Sequence, residues 1–183
     1  MRIGLVALLL LAAALGQTAG LAPIVDAELP GLLNTYRSLH EAPELSHFEA
    51  QTSGTIAARL RGLGYEVTEH IGAYAGHPEW HGYGVVGILR NGAGPVVLVR
   101  TELDALPVTE NTGLAYASRV PGVMHACGHD IHMTAFLGAA AALAQLKAQW
   151  HGTLDDGGAA RGGDHQRRGR HAGRRPVHAL PAP

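Results

Sequence analysis

Thiolate, imidazole and carboxylate groups crowd into one short stretch of this chain, where Cys127, Gly128, His129 and Asp130 are flanked by His125 and His132. Donors packed this tightly point to a divalent metal. A soft sulfur and neutral nitrogens suit zinc, or a neighbouring ion such as manganese or nickel. The two-residue spacing of Cys127 and His129 lets both side chains leave an extended loop in the same direction. The plainer reading of these residues is a small buried thiol beside surface histidines, and the density of donors favours the metal over it.

Such a loop must be held by regular elements on both sides. Over residues 24–63 the pattern is helical: Leu32, Leu33, Tyr36 and Leu39 recur at three- and four-residue spacing, and Pro43 ends that helix. A second helix is expected from Ser46, with Glu49 completing a capping box, and carries Ile56, Leu60 and Leu63 on one face until Gly64. These residues read as packing. Residues 65–71, 84–90 and 95–100 read as strands, the last two joined across a turn at residues 91–94, and a helix follows over about residues 132–150. Helices alternating with strands predict a mixed α/β sheet.

One motif is a decoy. Gly82, Gly84 and Gly87 spell G-x-G-x-x-G, with Glu102 and Asp104 near the distance at which a dinucleotide site places its acidic residue. That fingerprint must follow a strand and open a helix, whereas residues 85–89 are themselves β-branched and strand-like. Nucleotide binding is therefore set aside.

The stretch from Val123 to Gly138, together with Leu103, Asp104, Ala105, Leu106, Pro107 and Val108, resembles the amidohydrolase branch of the aminoacylase and carboxypeptidase family of two-metal zinc-type peptidases. That branch includes hippurate hydrolase, the hydrolases of indole-acetyl amino acids and N-acyl-diaminopimelate deacetylases. Further matches are Arg37, Leu39, His40, Pro43, Glu44 and Leu45, then residues 84–92, then Thr112, Gly113, Leu114, Tyr116, Ala117 and Ser118. The resemblance covers about residues 32–154 in the family's order.

What it implies is metal-assisted hydrolysis of an amide bond. Two divalent ions, whether zinc, manganese or nickel, would lower the pKa of a bridging water and polarise the scissile carbonyl, while a glutamate carries the proton. Cys127 and His129 match the branch's ligand pair, and Asp104 matches the aspartate that orients a ligand or the base. A turn-forming carboxylate before Pro107 remains the plain reading of Asp104. His125, Asp130 and His132 are motif positions expected to support the loop. The substrate class implied is an N-acyl amino acid or short peptide, and the family's homodimer forms through an inserted lid domain. Where the branch usually has aspartate two residues before Asp104, this chain has Glu102.

The two ends have a different character. Arg2, the apolar run over residues 3–15 and the small residues Gln17, Thr18, Ala19 and Gly20 predict a signal peptide over residues 1–20, and hence a periplasmic or extracellular protein. The run is too short for a stable membrane span. A single cysteine excludes an internal disulfide, and a net charge of −1 gives no reason to expect nucleic acid as a partner. Residues 21–154 read as the N-terminal part of a metallohydrolase catalytic domain.

Residues 155–183 hold almost no large apolar side chain and are expected to add nothing to a core. A disordered basic tail is one reading. The other is a shifted reading frame: back-translating residues 155–168 and reading one base later permits Met-Met-Val-Ala-Gln-Pro-Ala-Glu-Glu-Thr-Ile-Ser-Gly, with its glutamate pair over Gly162, Gly163 and Asp164. In the family that pair supplies the base and a metal ligand, and it is absent from these 183 residues. The lid domain and the last strands of the catalytic sheet are also missing, so the domain is expected to be incomplete and the chain inactive. The alternative is a non-enzymatic exported module that captures metal through its twelve histidines.

Overall fold

The computed structural model describes residues 20–159, apart from 75 and 78. The chain runs through helix α1 (Ala22–Glu41), helix α2 (Ala50–Gly62), strands β1 (Glu66–Ile71), β2 (Gly84–Asn91) and β3 (Val96–Glu102), helix α3 (His129–Gln145), a 3-10 turn at Lys147–Gln149, and strand β4 (Gly152–Ala159). This is the mixed α/β architecture expected from the alternation of helical and strand periods. Residues 1–19 of the predicted signal peptide and all of the tail beyond residue 159 lie outside the described residues, and none of the described helices is long and apolar enough to cross a membrane.

Helix α1 accepts Pro23 in its first turn, where a missing N–H costs nothing, and stops before Pro43. Its buried stripe is narrower than the sequence pattern: Leu39 is buried and Leu32 packs on the core, while Leu33 faces solvent. Helix α2 begins later than the capping-box reading placed it. Glu49 is its N-cap residue but makes no capping bond. Glu44 does that work instead, its carboxylate accepting from the N–H groups of Gln51 at 3.1 Å and Thr52 at 2.7 Å. A negative charge there also meets the positive end of the helix dipole.

The sheet order is β1-β2-β4-β3, so β4 enters between the two strands that the sequence suggested were joined as neighbours. It pairs antiparallel to β2 from Val85↔Gly158 to Asn91↔Gly152, and parallel to β3 from Val96↔Thr153 to Glu102↔Ala159. Helix α2 packs on β1 and β2, and α3 packs on β3 and α1. The shared core holds Ile56, Leu60, Val85, Leu89, Leu103, Met133, Leu137 and Leu154. Gly87 allows the close approach of α2, because a Cβ there would lie 3.0 Å from Leu60 Cδ1 and 3.3 Å from the Tyr65 ring.

The composition break at residue 155 is not a structural break. Strand β4 continues beyond Leu154 to Ala159, which corrects the expectation that nothing after Leu154 enters the core. Alternation along the strand turns Leu154, Asp156 and Gly158 inward. Asp156 is 2% exposed and opposes Gly87 across the ladder, and its Oδ2 has no hydrogen-bond partner among the described residues. Burial, with Asp155 adding to it, pushes its carboxyl up to about 6, while the hydrogen bond from Tyr65 works the other way. Burial beside Asp156 also raises the Tyr65 hydroxyl.

Candidate metal centre

Strand β3 ends at Glu102, and the chain after it is pinned on two sides. The Ala105 N–H donates to the Glu44 carbonyl at 2.7 Å, and Leu106 and Met124 exchange two backbone bonds of 3.0 Å each. Those bonds bring the donor-rich loop beside Asp104. Gly128, at φ +82°, then turns the chain into α3, a conformation in which a Cβ is strained. His129 is the first residue of α3 and His132 follows one turn later, so both imidazoles share a helix face.

Asp104 is 2% exposed. The His129 Nδ1–H donates to its backbone carbonyl at 2.8 Å, with the carboxylate Oδ1 at 3.2 Å. Holding Nδ1 in this way selects the tautomer whose Nε2 lone pair is free, as a metal-binding histidine requires. Asp104 is thus placed against the His129 ring through its backbone carbonyl and Oδ1.

Glu102, His129 and His132 each offer one ligand atom, and these atoms all lie within 4.8 Å of one another. The Glu102 Oε2 is 3.7 Å from His132 Nδ1, while its Oε1 lies 3.5 Å from Arg100. A carboxylate and two imidazoles fit zinc, manganese or nickel and do not choose among them. Cys127 is exposed and is not a member of this group. Glu102 and His132 thus lie near His129, the residue that sequence spacing pairs with Cys127. His132, read from the sequence as loop support, stands among the potential ligands.

Asp130 supports the loop through a partner that no local pattern could reveal. Its Oδ2 lies 2.6 Å from Nδ1 of His40, ninety positions earlier, and His40 Nε2 lies 3.2 Å from Glu110 Oε1. With a carboxylate at each ring nitrogen, both nitrogens carry hydrogen and the imidazolium is favoured. Burial alone would lower the His40 pKa, and the two carboxylates outweigh it to raise the value. Glu110 is held below the usual range by the Thr112 hydroxyl, the Ser118 N–H and His40.

Two further buried groups lie near Asp104. Both ring nitrogens of His125 lack hydrogen-bond partners among the described residues, and burial, opposed by the charge of Asp130, lowers its pKa. Glu49, read from the sequence as a capping residue, is fully buried with neither carboxylate oxygen partnered. Burial pushes it up to about 7, with Asp104 and Glu44 contributing.

Residues 98–155, which hold Glu102, Asp104, the donor loop and α3, match the sequence profile of peptidase family M20/M25/M40. The chain is 44% identical over 117 residues to thermostable carboxypeptidase 1 of Saccharolobus solfataricus, a match covering 63% of this chain and 28% of that protein. It is 38% identical over 123 residues to the N-acetylcysteine deacetylase of Bacillus subtilis, covering 67% of this chain and 30% of the relative.

Among solved structures, the YXEP protein of Bacillus subtilis, described as a dinuclear metal-binding peptidase of the M20 family, superposes with a TM-score of 0.63 at 37% identity. That match covers 72% of this chain and 35% of the other. The fold and loop together are those of a metallopeptidase catalytic domain in part. Residues 98–155 match peptidase family M20/M25/M40, and the fold over 72% of this chain is similar to that of a solved member. The chain spans less than a third of the length of these two curated relatives.

Proposed function

We propose that this chain carries the metal-anchoring part of a hydrolase that cleaves the amide bond of N-acyl amino acids or short peptides. The observation that carries the proposal is His129, its Nδ1 held by Asp104 and its Nε2 left available at the end of β3. The relatives support the substrate class, being named as a carboxypeptidase and an N-acetylcysteine deacetylase. Divalent ions would supply Lewis acidity and an acidified water. Asp104 keeps the His129 ring in the ligating orientation, and the His40–Asp130 pair holds the first turn of α3 in place.

The proposal includes the absence of turnover by these 183 residues alone, since they contain no Gln-Pro-Ala-Glu-Glu and therefore no matching carboxylate base. A shifted reading frame from residue 155 onward explains that absence. Its structural support is an inner strand built from Asp155, Asp156, Gly157 and Gly158, residue types poorly suited to a strand paired on both sides. Export through residues 1–20 belongs to the same proposal, and sequencing the N-terminus of the secreted protein tests it. The assay is hydrolysis of N-acyl amino acids by the purified chain with zinc, manganese or nickel. No turnover is expected, and chelator-sensitive turnover overturns the claim of inactivity. Resequencing the DNA over the codons for residues 151–164 tests the frame.

A further inference from the structure

We infer that the connection between β1 and β2 forms a binding site for a small molecule carrying a flat aromatic ring, which stacks on the outer face of His77. The site shares no residue with the metal centre and does not rest on that reading.

The connection carries Tyr74, His77, Trp80, His81 and Tyr83. Its two ends touch at the root: a Cβ on Gly82 would lie 2.2 Å from the Gly72 carbonyl oxygen, and one on Gly84 would lie 2.6 Å from that of Ile71. Two glycines of the G-x-G-x-x-G stretch thus serve a close approach of backbones. The His77 N–H then donates to the Tyr74 carbonyl and the Trp80 N–H to the His77 carbonyl, each at 3.1 Å, which folds the aromatic residues together.

Trp80 is the centre of the cluster. The His47 ring stacks on it with centroids 4.0 Å apart and planes 12° apart, and the His77 ring does so at 3.8 Å and 7°. Two nearly parallel rings at these distances cannot share one face of an indole, so the three form a column with Trp80 in the middle. Tyr74 closes its side, edge-on to His47 at 4.5 Å and to Trp80 at 5.8 Å. The column is therefore built before any ligand arrives.

Its two ends differ. His47 belongs to the segment before α2 and does not line the adjoining cavity. His77 does line it, together with His70, His81 and Tyr83, and its side chain is 48% exposed. The cavity holds about 540 Å³, a size suited to a small ligand. A flat ring on the open face of His77 continues the spacing of the column, whereas a saturated ring is too thick to do so. The Glu79 carboxylate, 3.1 Å from His77 Nδ1, fixes the imidazole. Its negative charge at the mouth favours a neutral or cationic ligand over an anion.

The test is titration of the intact chain with benzylamine and, separately, with cyclohexylmethylamine, which has the same charge and no flat ring. The readout is the pair of indole N–H resonances in a nitrogen-15 correlation spectrum, assigned with Trp80→Phe. Trp150 is the internal control, since its indole N–H donates to the Leu143 carbonyl at 2.9 Å and it does not line the cavity. Benzylamine is expected to shift the Trp80 resonance saturably and leave that of Trp150 in place, with cyclohexylmethylamine binding more weakly. His77→Ala should weaken benzylamine binding about 2–10-fold, the range of a single aromatic pair, and His77→Phe should retain it. Equal affinity for the two amines would reduce the site to charge attraction by Glu79 and overturn the inference. So would unchanged affinity in His77→Ala, or no shift of Trp80 in a chain whose spectrum shows it folded.

Discussion

At the junction of β3 and α3 most charged groups meet partners: His40 sits between Asp130 and Glu110, and His129 donates to the Asp104 backbone carbonyl, while Asp104 Oδ1 makes no hydrogen bond among the described residues. One strand over, β4 turns Asp156 into the apolar core opposite Gly87 with an oxygen left unpartnered. The first region is built on helices and on the loop after β3 and the second on β4, which pairs with β3, so the two lie side by side and differ in how their side chains are partnered. The backbone ladder holds a strand in place even where its residues are wrong for the position, while the candidate metal centre depends on the identity of its side chains. Glu49 and His125 stand between these cases: they are buried and unpartnered, but close enough to Asp104 for its charge to act on them.

The comparison breaks most readily at His40. Replacing it in His40→Ala leaves Asp130 and Glu110 facing each other without their cation, and a loss of about 3–5 kcal/mol in unfolding free energy is expected by urea denaturation. A loss below about 1 kcal/mol would mean that the carboxylates find water and that the junction is not specially built.

Next in size is Asp104→Ala. The substitution keeps the backbone carbonyl that accepts from His129 Nδ1 and removes only the carboxylate 3.2 Å from that nitrogen, so divalent-metal affinity should fall by about 10-fold in an equilibrium titration, with little change in helix content. Unaltered affinity would return Asp104 to the role of a turn residue before Pro107.

For β4 the expected sign reverses. Asp156→Val removes a buried carboxyl that lacks full hydrogen bonding and adds a residue suited to a strand, so stability should rise by about 1–2 kcal/mol. A fall would show that the Asp156 carboxylate serves the fold.

The smallest effect is a pH slope. The folded-state pKa of Asp156, about 6, lies above its ordinary value of 3.8, so the protonated form favours folding at low pH and that contribution is lost as pH rises through about 6. The stability gap between Asp156→Val and the unmodified chain should therefore widen between pH 4 and pH 7. Glu49→Gln should show the same widening between about pH 4.5 and pH 7. A constant gap in either case would place that carboxyl in contact with water.

Much of the fold was legible because it rests on local periods. The stripes of Ile56 and Leu60 in α2, and the strand character of residues 84–90, needed no distant information. The donor loop was legible for the same reason, since its residues are neighbours in sequence. Other features required contacts across long separations. Glu44 caps α2 from outside the helix, β4 inserts between β2 and β3, and His40 reaches Asp130 across ninety positions. The second half of β4 was misread because composition predicts what a segment prefers, whereas ladders on both sides decide what it does.

The most direct test of the central claim is an equilibrium titration of zinc into the purified chain and into His129→Ala. Saturable binding by the first, lost in the second while the fold is retained, is the predicted result. Equal binding by both would contradict a metal centre anchored on His129 at the end of β3.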